Sequence, residues 1–279
     1  MEELFNVNLK NYSNMRIGGT AERMLFPKNV EELKEAYKIE SKYIIANGSN
    51  ILINDRIFKN IVNVSKMEEK IKNLTGGRFY VTASVKLPSF INYVNKLGYG
   101  GMEFLYCVPG TIGGAIYMNA GRGAHTGEFI SNYIESVEVF DNGKIRIISK
   151  EDCKFSFRRS VFHDNKFIIL SAIFKFPSMS IEESSLKKNE RKKFCKINQD
   201  HSGGNLGSVF CVANGNILTI AKMFRIGKKK GAHFSGKSSN WIVNSGAGTF
   251  NQVISIIKIV EMLHKIIKKD IKREIIIWY

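Results

Sequence analysis

The chain of 279 residues has few side chains that could form disulfides or bind metals, and they are scattered. Its four cysteines, Cys107, Cys153, Cys195 and Cys211, lie far apart without a CxxC pair, and its five histidines form neither an HxxxH nor an HExxH pattern. Zinc sites and disulfide frameworks use closely spaced or paired ligands, so this spacing argues against both. We therefore expect reduced, partly buried thiols and no metal site.

Long apolar runs are also missing. No apolar stretch approaches the length that spans a membrane, and the first residues, MEELFNVNLKN, lack a basic region followed by an apolar run. With 44% hydrophobic and 24% charged residues, the composition is typical of a globular protein, and its length favours roughly two domains. We expect a cytoplasmic protein without membrane insertion.

Acidic residues are scarce relative to basic ones. Lys and Arg total 42 against 25 Asp and Glu, which gives a formal net charge of +17, with local clusters at 187–193 and 227–231. Neither cluster alternates with the aromatic residues that a base-stacking surface uses, so we expect no nucleic-acid partner. Two interpretations stay open: a solvated lysine-rich surface, or a surface that attracts a multiply anionic ligand.

Apolar periodicity divides the chain into short helices and strands in mixed order. Asn29 can cap a helix over 29–39, and Asn142-Gly143 is typical of a tight hairpin turn within 133–149. A charged stretch over 180–197 predicts a helix that links two domains. The stretch over 251–269 predicts a helix that packs on its own domain's sheet, the alternative being a membrane surface. Further predictions are strands in 43–53, 60–65, 79–87, 167–176, 201–210, 240–246 and 274–279, and helices over 88–97 and 214–224.

Glycine is concentrated in one region. VPGTIGGAIYMNAG, residues 108–121, has four glycines and two alanines, and GYGGMEF at 98–104 adds three glycines. Because glycine at this density weakens helices and strands, we expect a loop that lets a phosphate or cofactor approach the backbone, rather than a packed element. The alternative is an ordinary glycine-rich turn.

A second glycine motif matches a known pattern in letters only. GAHFSGKS, residues 231–238, fits the nucleotide-binding pattern GxxxxGK[ST]. That pattern binds phosphate only where an apolar strand enters the loop and a helix leaves it. Here RIGKKK precedes the loop and the strand-like SNWIVN follows it, so we predict that it is not a phosphate loop.

Taken together, ordered segments along nearly the whole chain resemble the UDP-N-acetylenolpyruvoylglucosamine reductases, known as MurB. The segments that carry the resemblance are NYSNMRIGGTAE (11–22), NGSNILI (47–53), GGMEFLYCVPGTIGGAIYMNAG (100–121), FSFRRSVF (155–162), GSVF (207–210), SSNWIVN (238–244) and REIII (273–277). Only 66 positions separate Ser208 from Glu274, which is similar to the shorter subtype of the family.

The resemblance implies an α+β fold with a two-part FAD-binding region of the PCMH type, followed by a smaller α+β substrate-binding domain. We place the first FAD-binding subdomain at 1–65, the second at 66–196 and the substrate-binding domain at 197–279. The resemblance also implies non-covalent FAD, with NADPH as reductant and a UDP-sugar as substrate. In the family, the stretch resembling 108–121 wraps the FAD with its bare amides facing the pyrophosphate.

Reduction of an enolpyruvyl ether needs a hydride, stabilisation of the negative charge that develops on the carboxylate side, and a proton. Arg158 matches the family's catalytic arginine, whose guanidinium suits the developing charge. Its neighbour Arg159 would point away if the segment is extended. Ser208 corresponds to the serine that protonates the intermediate, and Glu274 matches the carboxylate that assists at the same carbon. Considered without the resemblance, Ser208 is better explained as a turn serine after glycine. For Glu274, an acidic residue that leads an apolar strand fits a site group, the alternative being a surface carboxylate at a strand end.

The resemblance also assigns binding residues. We expect the substrate to contact Arg158, Gly207 and Asn240. The expected FAD-binding residues are Asn47, Gly48, Ser49, Asn50, Ile51, Pro109, Gly110, Thr111, Gly113, Gly114, Ala115, Asn119 and Gly121.

The chain departs from the family in three segments. Phe157 stands where the family usually has Tyr, and Cys211-Val212-Ala213 replaces Lys-Asn-Pro after GSVF, which removes polar groups expected near the substrate. Asn47 replaces the first glycine of a GGSN turn, as a residue that tolerates the left-handed conformation.

Three hypotheses follow for function. The first is FAD- and NADPH-dependent reduction of UDP-N-acetylglucosamine enolpyruvate to UDP-N-acetylmuramate, in peptidoglycan precursor synthesis. The second is a FAD-binding paralogue that acts on another sugar nucleotide or unsaturated acid. The third is a non-catalytic basic scaffold that binds nucleotide or nucleic acid. The presence of all three candidate catalytic residues favours an enzyme, and the sequence leaves the oligomeric state open.

Overall fold

The computed structural model describes residues 1–39, 43–224 and 231–279. Most of the second lysine cluster, at 227–230, therefore lies outside the described residues. The chain divides into two compact units. Unit 1 contains residues 1–2, 26–46 and 62–195, and unit 2 contains residues 3–25, 47–61 and 196–279. The predicted boundaries at 65/66 and 196/197 divide the chain by function and stay a prediction.

Helices and strands follow one another in mixed order along the described chain. The strands are β1 (Glu2–Asn8), β2 (Thr20–Phe26), β3 (Tyr43–Ile45), β4 (Ile51–Ile53), β5 (Ile57–Asn63), β6 (Ile71–Asn73), β7 (Arg78–Thr82), β8 (Ile134–Asp141), β9 (Lys144–Ser149), β10 (Ile168–Lys175), β11 (Gly204–Ser208), β12 (Phe210–Val212), β13 (Ala232–Phe234), β14 (Trp241–Asn244), β15 (Lys272–Arg273) and β16 (Ile276–Trp278). The helices are α1 (Val30–Lys38), α2 (Leu87–Lys96), α3 (Ile112–Tyr117), α4 (Ile181–Asn198), α5 (Gly215–Met223) and α6 (Phe250–Ile266).

Unit 1 is built on an antiparallel sheet with the strand order β6-β7-β10-β8-β9. The central strand is β10, in which Ala172 pairs with Val81 of β7 on one side and with Val137 of β8 on the other. The turn between β8 and β9 has positive φ at Asn142 (46°) and Gly143 (88°), as a two-residue hairpin requires. The predicted hairpin is therefore confirmed.

The core of unit 1 forms where helix α2 and the sheet bury their apolar sides. The Phe90 ring of α2 lies 6.5 Å from that of Phe79 on β7 and 5.2 Å from that of Phe174 on β10, measured between ring centroids. All three side chains are fully buried. Aromatic pairs at these distances add to the free energy gained by burying apolar area, so this cluster fixes α2 on the sheet that supports the glycine-rich stretch.

Unit 2 consists of small sheets with two helices. Strands β11, β14 and β13 form one sheet in that order, β12 pairs with β15, and β16 pairs in parallel with β4. Strands β1, β2 and β5 are neighbours in a further sheet. These pairings place the C-terminal strand β16 beside residues from the first quarter of the chain, since Ile276 aligns with Ile51.

Helix α6 packs within unit 2 rather than exposing its apolar side. Thr249 caps its N-terminus by accepting a hydrogen bond from the Gln252 amide. Val253, Ile257 and Val260 are at most 1% exposed and belong to the same apolar cluster as residues of β13 and β14. The prediction that this helix packs on its own domain is confirmed. Among the described residues, no helix is long and apolar enough to cross a membrane.

Most predicted elements are present, but strands β1, β2, β6, β13 and β15 and helix α3 were missed. The helices near 29–39, 88–97, 180–197 and 214–224 and the strands near 43–53, 60–65, 79–87 and 167–176 are confirmed. Strands β1 and β2 were not predicted, because neither has a clear alternation of apolar residues. Helix α3 contradicts the expectation that 108–121 is only a loop.

The GAHFSGKS segment binds a carboxylate of the chain itself. Its first residues form β13, which pairs with β14 in a hairpin, so no helix leaves the loop. Asp200 is 8% exposed, and its Oδ2 accepts hydrogen bonds from the Ser235 hydroxyl at 2.8 Å and the Gly236 amide at 3.1 Å. Asp200 Oδ1 accepts two more from the amide and hydroxyl of Ser202. The Ser235 hydroxyl and the Gly236 amide are therefore used within unit 2.

Asp200 makes the stability of unit 2 depend on pH. Burial would raise its pKa, but the hydrogen bonds from Ser202, Ser235 and Gly236 outweigh burial and lower the pKa from 3.8 to about 2. The ionised carboxylate then contributes about 2 kcal/mol to the free energy of unfolding above pH 3.8, and this contribution is lost as the pH falls through 2. We expect Asp200→Asn to lower that free energy at pH 7, with a difference from wild type that shrinks below about pH 4.

Urea unfolding of both proteins from pH 7 to pH 2 checks this expectation. Asp270→Asn is the matched control, because Asp270 is an exposed aspartate of the same unit. A difference between wild type and Asp200→Asn that stays constant across the pH range would contradict the linkage.

Candidate functional site

In unit 1, the glycine-rich stretch is a short helix packed closely on the chain. Helix α3 begins after Thr111, whose hydroxyl accepts a hydrogen bond from the Gly114 amide at 3.3 Å. A Cβ on Gly113 would lie 2.9 Å from Ala83 Cβ, and one on Gly121 would lie 2.2 Å from Glu128 O. Gly113 and Gly121 are therefore required because other parts of the protein pack closely against them. This corrects the expectation that the stretch is a loop rather than a packed element.

Amides at the start of α3 already donate within the protein. The amides of Ile112, Gly113 and Ala115 donate to Val85 O, Ala83 O and Thr111 O, each at 2.9 Å. The expectation of bare amides is therefore wrong for residues 112–115. Gly114 differs from the others, because it is exposed and the nearest atom to a Cβ there would be Thr111 Oγ1 at 3.6 Å. Within residues 112–115, the exposed position is Gly114.

Arg158 lies in a tight turn rather than on an extended segment. Backbone hydrogen bonds between Ser156 and Arg159 close the turn in both directions, at 3.0 and 3.1 Å, and Arg158 at its corner has φ +56°. The segment is therefore not extended at Arg158, so the condition stated for the orientation of Arg159 is not met. Arg159 nevertheless points elsewhere, because its guanidinium pairs with Asp164. The turn is what separates the two arginines.

The side chain of Arg158 reaches back to the glycine-rich stretch. Its Nη2 donates to Gly121 O at 2.6 Å and its Nη1 to Asn119 O at 3.4 Å, while its guanidinium carbon lies 5.3 Å from the centre of the Phe157 ring. Asn119, which is buried with φ +42°, donates from Nδ2 to Ser156 O at 2.9 Å. Two left-handed residues thus join the candidate catalytic arginine to the end of the candidate FAD-binding stretch.

In unit 2, Ser208 lies at the end of β11 next to an irregular strand pairing. The register between β11 and β14 shifts between Asn205 and Ser208, and Ser208 aligns with Trp241. Gly207 has φ +74°, and its amide donates to the side chain of Asn205 at 3.1 Å. An irregularity of this kind re-aims a side chain relative to the regular strand, and Ser208 is half-buried there.

Glu274 lies beside this strand end although it is distant in sequence. Its amide donates to Val209 O at 2.8 Å, and Val209 directly follows Ser208. The carbonyl of Glu274 accepts from Asn50 Nδ2 at 3.1 Å, and the amide of Ile276 donates to Asn50 O at 2.9 Å. Unit 2 therefore brings together Ser208, Glu274 and Asn50 of the predicted FAD-binding loop. Glu274 is half-buried and lies between β15 and β16 rather than within the terminal strand.

Asn240 positions this backbone. Its Oδ1 accepts from Phe210 N at 3.0 Å, its Nδ2 donates to Phe210 O at 2.8 Å, and its own carbonyl accepts from Val209 N at 2.9 Å. Both ends of the Asn240 amide group thus bind the segment that follows Ser208. Substrate binding by Asn240 stays a prediction, and these contacts give its side chain a positioning role in unit 2.

Cys211 also faces the backbone beside Glu274. Its thiol donates to the carbonyls of Lys272 and Arg273, both at 3.5 Å. Burial, followed by the nearby Glu274 carboxylate, raises the pKa of the Cys211 thiol. The residue that replaces the family's lysine is therefore an uncharged thiol at neutral pH, held by carbonyl groups.

The loop at 47–51 is fixed by backbone contacts in unit 2. Gly48 is buried with φ +59°, and its carbonyl accepts from Asn14 N at 3.1 Å. Ile51 begins β4. Asn47 does not have positive φ. The ability of asparagine to adopt the left-handed conformation therefore does not explain why it replaces glycine here. The glycine that the loop requires is Gly48, because a Cβ there would lie 1.9 Å from Tyr12 O.

Replacing Gly48 with alanine is expected to displace this loop and to lower the free energy of unfolding by roughly 2–4 kcal/mol, because strained φ and overlap with Tyr12 O act together. Gly76→Ala is a matched control, since Gly76 has the same φ of +59° and no atom within 4 Å of a Cβ. Urea unfolding of the two variants separates the cost of positive φ from the cost of overlap with Tyr12 O. Equal losses in both would show that contact with Tyr12 contributes nothing.

The structure places the candidate residues in two groups, one in each unit. Unit 1 holds Pro109, Gly110, Thr111, Gly113, Gly114, Ala115, Asn119, Gly121 and Arg158, and unit 2 holds Asn47, Gly48, Ser49, Asn50, Ile51, Gly207, Ser208, Asn240 and Glu274. Sequence reasoning missed the positioning contacts of Asn119, Asn50 and Asn240, whose partners are distant backbone groups. Their only signal in the sequence is an asparagine inside a motif. Among the described residues, no group of three or more His, Cys, Asp or Glu could hold a metal ion.

Comparison with known proteins identifies the cofactor domain and the relatives. The family profile of the FAD binding domain matches residues 21–149. A UDP-N-acetylenolpyruvoylglucosamine reductase from Fusobacterium nucleatum is 33% identical over 270 residues, which cover 94% of this chain and 93% of the relative. The enzyme of that name from Prochlorococcus marinus is 32% identical over 268 residues, which cover 92% of this chain and 90% of the relative.

A solved structure agrees with these relatives. The crystal structure of UDP-N-acetylenolpyruvylglucosamine reductase (MurB) from Thermus caldophilus superposes with a TM-score of 0.81 at 25% identity, covering 100% of this chain and 98% of that one. The predicted α+β fold with a PCMH-type FAD-binding region is therefore confirmed. The chain belongs to the UDP-N-acetylenolpyruvoylglucosamine reductase family.

Proposed function

We propose that this protein reduces the enolpyruvyl group of UDP-N-acetylglucosamine enolpyruvate to give UDP-N-acetylmuramate, with FAD as bound cofactor and NADPH as reductant. We further propose that it does so in the cytoplasm, as a step of peptidoglycan precursor synthesis. One observation carries the proposal beyond family membership. Ser208 and Glu274, 66 positions apart, are joined through Val209 in unit 2, with Asn50 of the FAD-binding loop hydrogen-bonded to Glu274.

The residues at the two candidate loops fit a FAD cofactor. Gly114 presents an exposed backbone with no atom closer than 3.6 Å to the position of a Cβ, which leaves room for a ligand. Asn47 is exposed and Ser49 and Asn50 are half-buried, so polar groups are available in the second loop. Both loops lie within residues 21–149, the span of the FAD binding domain. These residues would hold FAD, which supplies the hydride when bound.

Each candidate catalytic residue has a distinct role in the proposed reaction. Arg158 binds the carboxylate of the enolpyruvyl group and stabilises the negative charge that develops there, because a guanidinium stays charged and can bind both carboxylate oxygens. Ser208 donates a proton from its hydroxyl to the neighbouring carbon. Glu274 orients polar groups around that carbon.

The net charge supports an anionic substrate. A UDP-sugar that carries a diphosphate and a carboxylate is multiply anionic, and a chain with a formal net charge of +17 attracts it at long range. Cys211 stands where the family usually has lysine, so one local cation is absent. The second hypothesis, another sugar nucleotide or unsaturated acid as substrate, rests on this substitution.

Stopped-flow absorbance of the purified protein tests the proposal. A visible flavin spectrum is expected, followed by bleaching with NADPH and recovery of the oxidised spectrum on adding UDP-N-acetylglucosamine enolpyruvate. UDP-N-acetylglucosamine and simple unsaturated acids serve as control acceptors. Recovery with one of these controls alone would favour the second hypothesis. A purified protein that neither contains nor binds flavin would overturn the proposal.

A further inference from the structure

Arg273, which directly precedes Glu274, is bound through its side chain to helix α6 of unit 2. Its Nε donates to Glu261 Oε1 at 2.5 Å and its Nη2 to Glu261 Oε2 at 2.7 Å, so the ion pair is bidentate. The remaining nitrogen, Nη1, donates to the Tyr279 hydroxyl at 2.9 Å. A planar guanidinium that is bound at all three nitrogens is fixed in orientation as well as in position.

The helix gives this ion pair a firm anchor. Glu261 lies on α6 beside Val260 and one turn before His264, both of which are fully buried. His264 Nε2 accepts from the Asn214 amide at 2.9 Å, so the proton of this ring lies on Nδ1, which donates to Val260 O at 2.8 Å. A site group held from a packed helix is positioned more precisely than one held from a loop.

The backbone of Arg273 belongs to the segment that carries the candidate catalytic residues. Arg273 of β15 pairs with Phe210 of β12, two positions after Ser208. The next residue, Glu274, donates its amide to Val209 O at 2.8 Å. Arg273 is therefore held on one side by the strand that follows Ser208 and on the other by α6.

We propose that Glu261 and Arg273 are positioning residues for the reduction: their ion pair fixes the backbone of Glu274 relative to Ser208. This inference rests on the proposed function. Neither residue needs to contact the substrate, because both act through the backbone of β15. A displacement of about 1 Å among reacting groups can slow a reaction by up to about 10²-fold. Reduction of the flavin by NADPH uses neither Ser208 nor Glu274, so breaking the pair should spare it.

A second ion pair of unit 2 provides a matched control. Arg23 donates from Nε and Nη2 to both carboxylate oxygens of Glu3, at 3.0 and 2.8 Å. Its two side chains are 32% and 28% exposed, against 31% and 26% for Arg273 and Glu261. Glu3→Gln and Glu261→Gln should therefore lower the urea midpoint of unfolding by similar amounts. They differ in that only Glu261 is bound to the residue before Glu274.

Stopped-flow absorbance of the flavin-loaded variants tests the effect on the reaction. We expect Glu261→Gln to slow reoxidation by UDP-N-acetylglucosamine enolpyruvate about tenfold and to leave flavin reduction by NADPH at the wild-type rate. Arg273→Met should act similarly, and adding Glu261→Gln to it should slow reoxidation no further, because the pair is already broken. Glu3→Gln should match wild type in both half-reactions. Equal reoxidation rates in Glu261→Gln and Glu3→Gln, or additive losses in the double variant, would overturn the proposal.

Hydrogen exchange of the same proteins gives a readout that does not depend on turnover. The amides of Glu274 and Ile276 donate to Val209 O and Asn50 O, and they should exchange several-fold faster in Glu261→Gln than in wild type or Glu3→Gln. Equal exchange at Glu274 in all three proteins contradicts the positioning role, whatever the rates. If the enolpyruvyl substrate fails to reoxidise the wild-type flavin, the proposed function is wrong, and exchange alone decides whether the pair fixes Glu274.

Discussion

Replacing Ser208 with alanine is expected to leave reduction of the bound flavin by NADPH unchanged and to slow its reoxidation by the enolpyruvyl substrate about 10²- to 10⁴-fold. The two half-reactions differ because only the second needs a proton at carbon. Ser208 is half-buried at the shifted end of β11, and the Val209 carbonyl beside it accepts the Glu274 amide at 2.8 Å. Stopped-flow measurement of each half-reaction gives the two rates separately.

Two further variants make this expectation specific. Ser255→Ala removes an exposed hydroxyl from α6 of the same unit, and it should leave both half-reactions at wild-type rates. Ser208→Cys retains a proton donor and should keep part of the reoxidation rate. If Ser208→Ala slows flavin reduction and reoxidation equally, its role is structural rather than that of a proton donor.

Local sequence rules predicted the elements whose structure depends on neighbouring residues. Asn142-Gly143 forms a hairpin because both residues reach positive φ at low cost, and Asn29 caps α1 by accepting from the Glu32 amide at 2.8 Å. Helix α6 was predicted from its apolar spacing and buries the expected side. In these cases the residues that determine the structure are neighbours in one segment. The structure can therefore be predicted from the local sequence.

Such rules could not predict contacts between segments that are distant in the sequence. Helix α3 forms despite its glycines because Val85 and Ala83 accept the amides of Ile112 and Gly113. Burial and tertiary hydrogen bonds thereby outweigh low helix propensity, a balance that no local pattern records. The predicted roles of the candidate residues came from the resemblance. The contacts that position them, such as Asn50 with Glu274, depend on which strands become neighbours.

The GAHFSGKS segment shows how a motif can match without its function. The Ser235 hydroxyl and the Gly236 amide of this segment donate to Asp200, which lies 35 positions before Ser235. The sequence test that rejected the motif used its flanks, which predicted a strand where a helix is required. The structure adds the physical reason, since the loop's polar groups already have an anionic partner in unit 2.

Replacing Arg158 with lysine is expected to slow reoxidation by substrate about 10²- to 10³-fold, although the charge is kept. Arg158 Nη2 and Nη1 donate to Gly121 O and Asn119 O, so the guanidinium is oriented by the glycine-rich stretch. A lysine ammonium is a point charge on a flexible chain, and it cannot bind these carbonyls and a carboxylate in the same planar geometry. Flavin reduction by NADPH should change little in this variant.

The backbone of Arg158 allows folding and catalysis to be separated. Arg158 has φ +56°, a conformation that glycine adopts at lower cost than residues with a Cβ. Arg158→Gly removes the guanidinium and also relieves this backbone strain. The thermal stability of unit 1 is therefore expected to stay the same or to rise. Arg159→Lys is the matched control at the neighbouring position, where the guanidinium pairs with Asp164, and it should reoxidise at nearly the wild-type rate. If Arg158→Gly is stable and as fast as wild type in reoxidation, Arg158 is not the group that stabilises the developing charge.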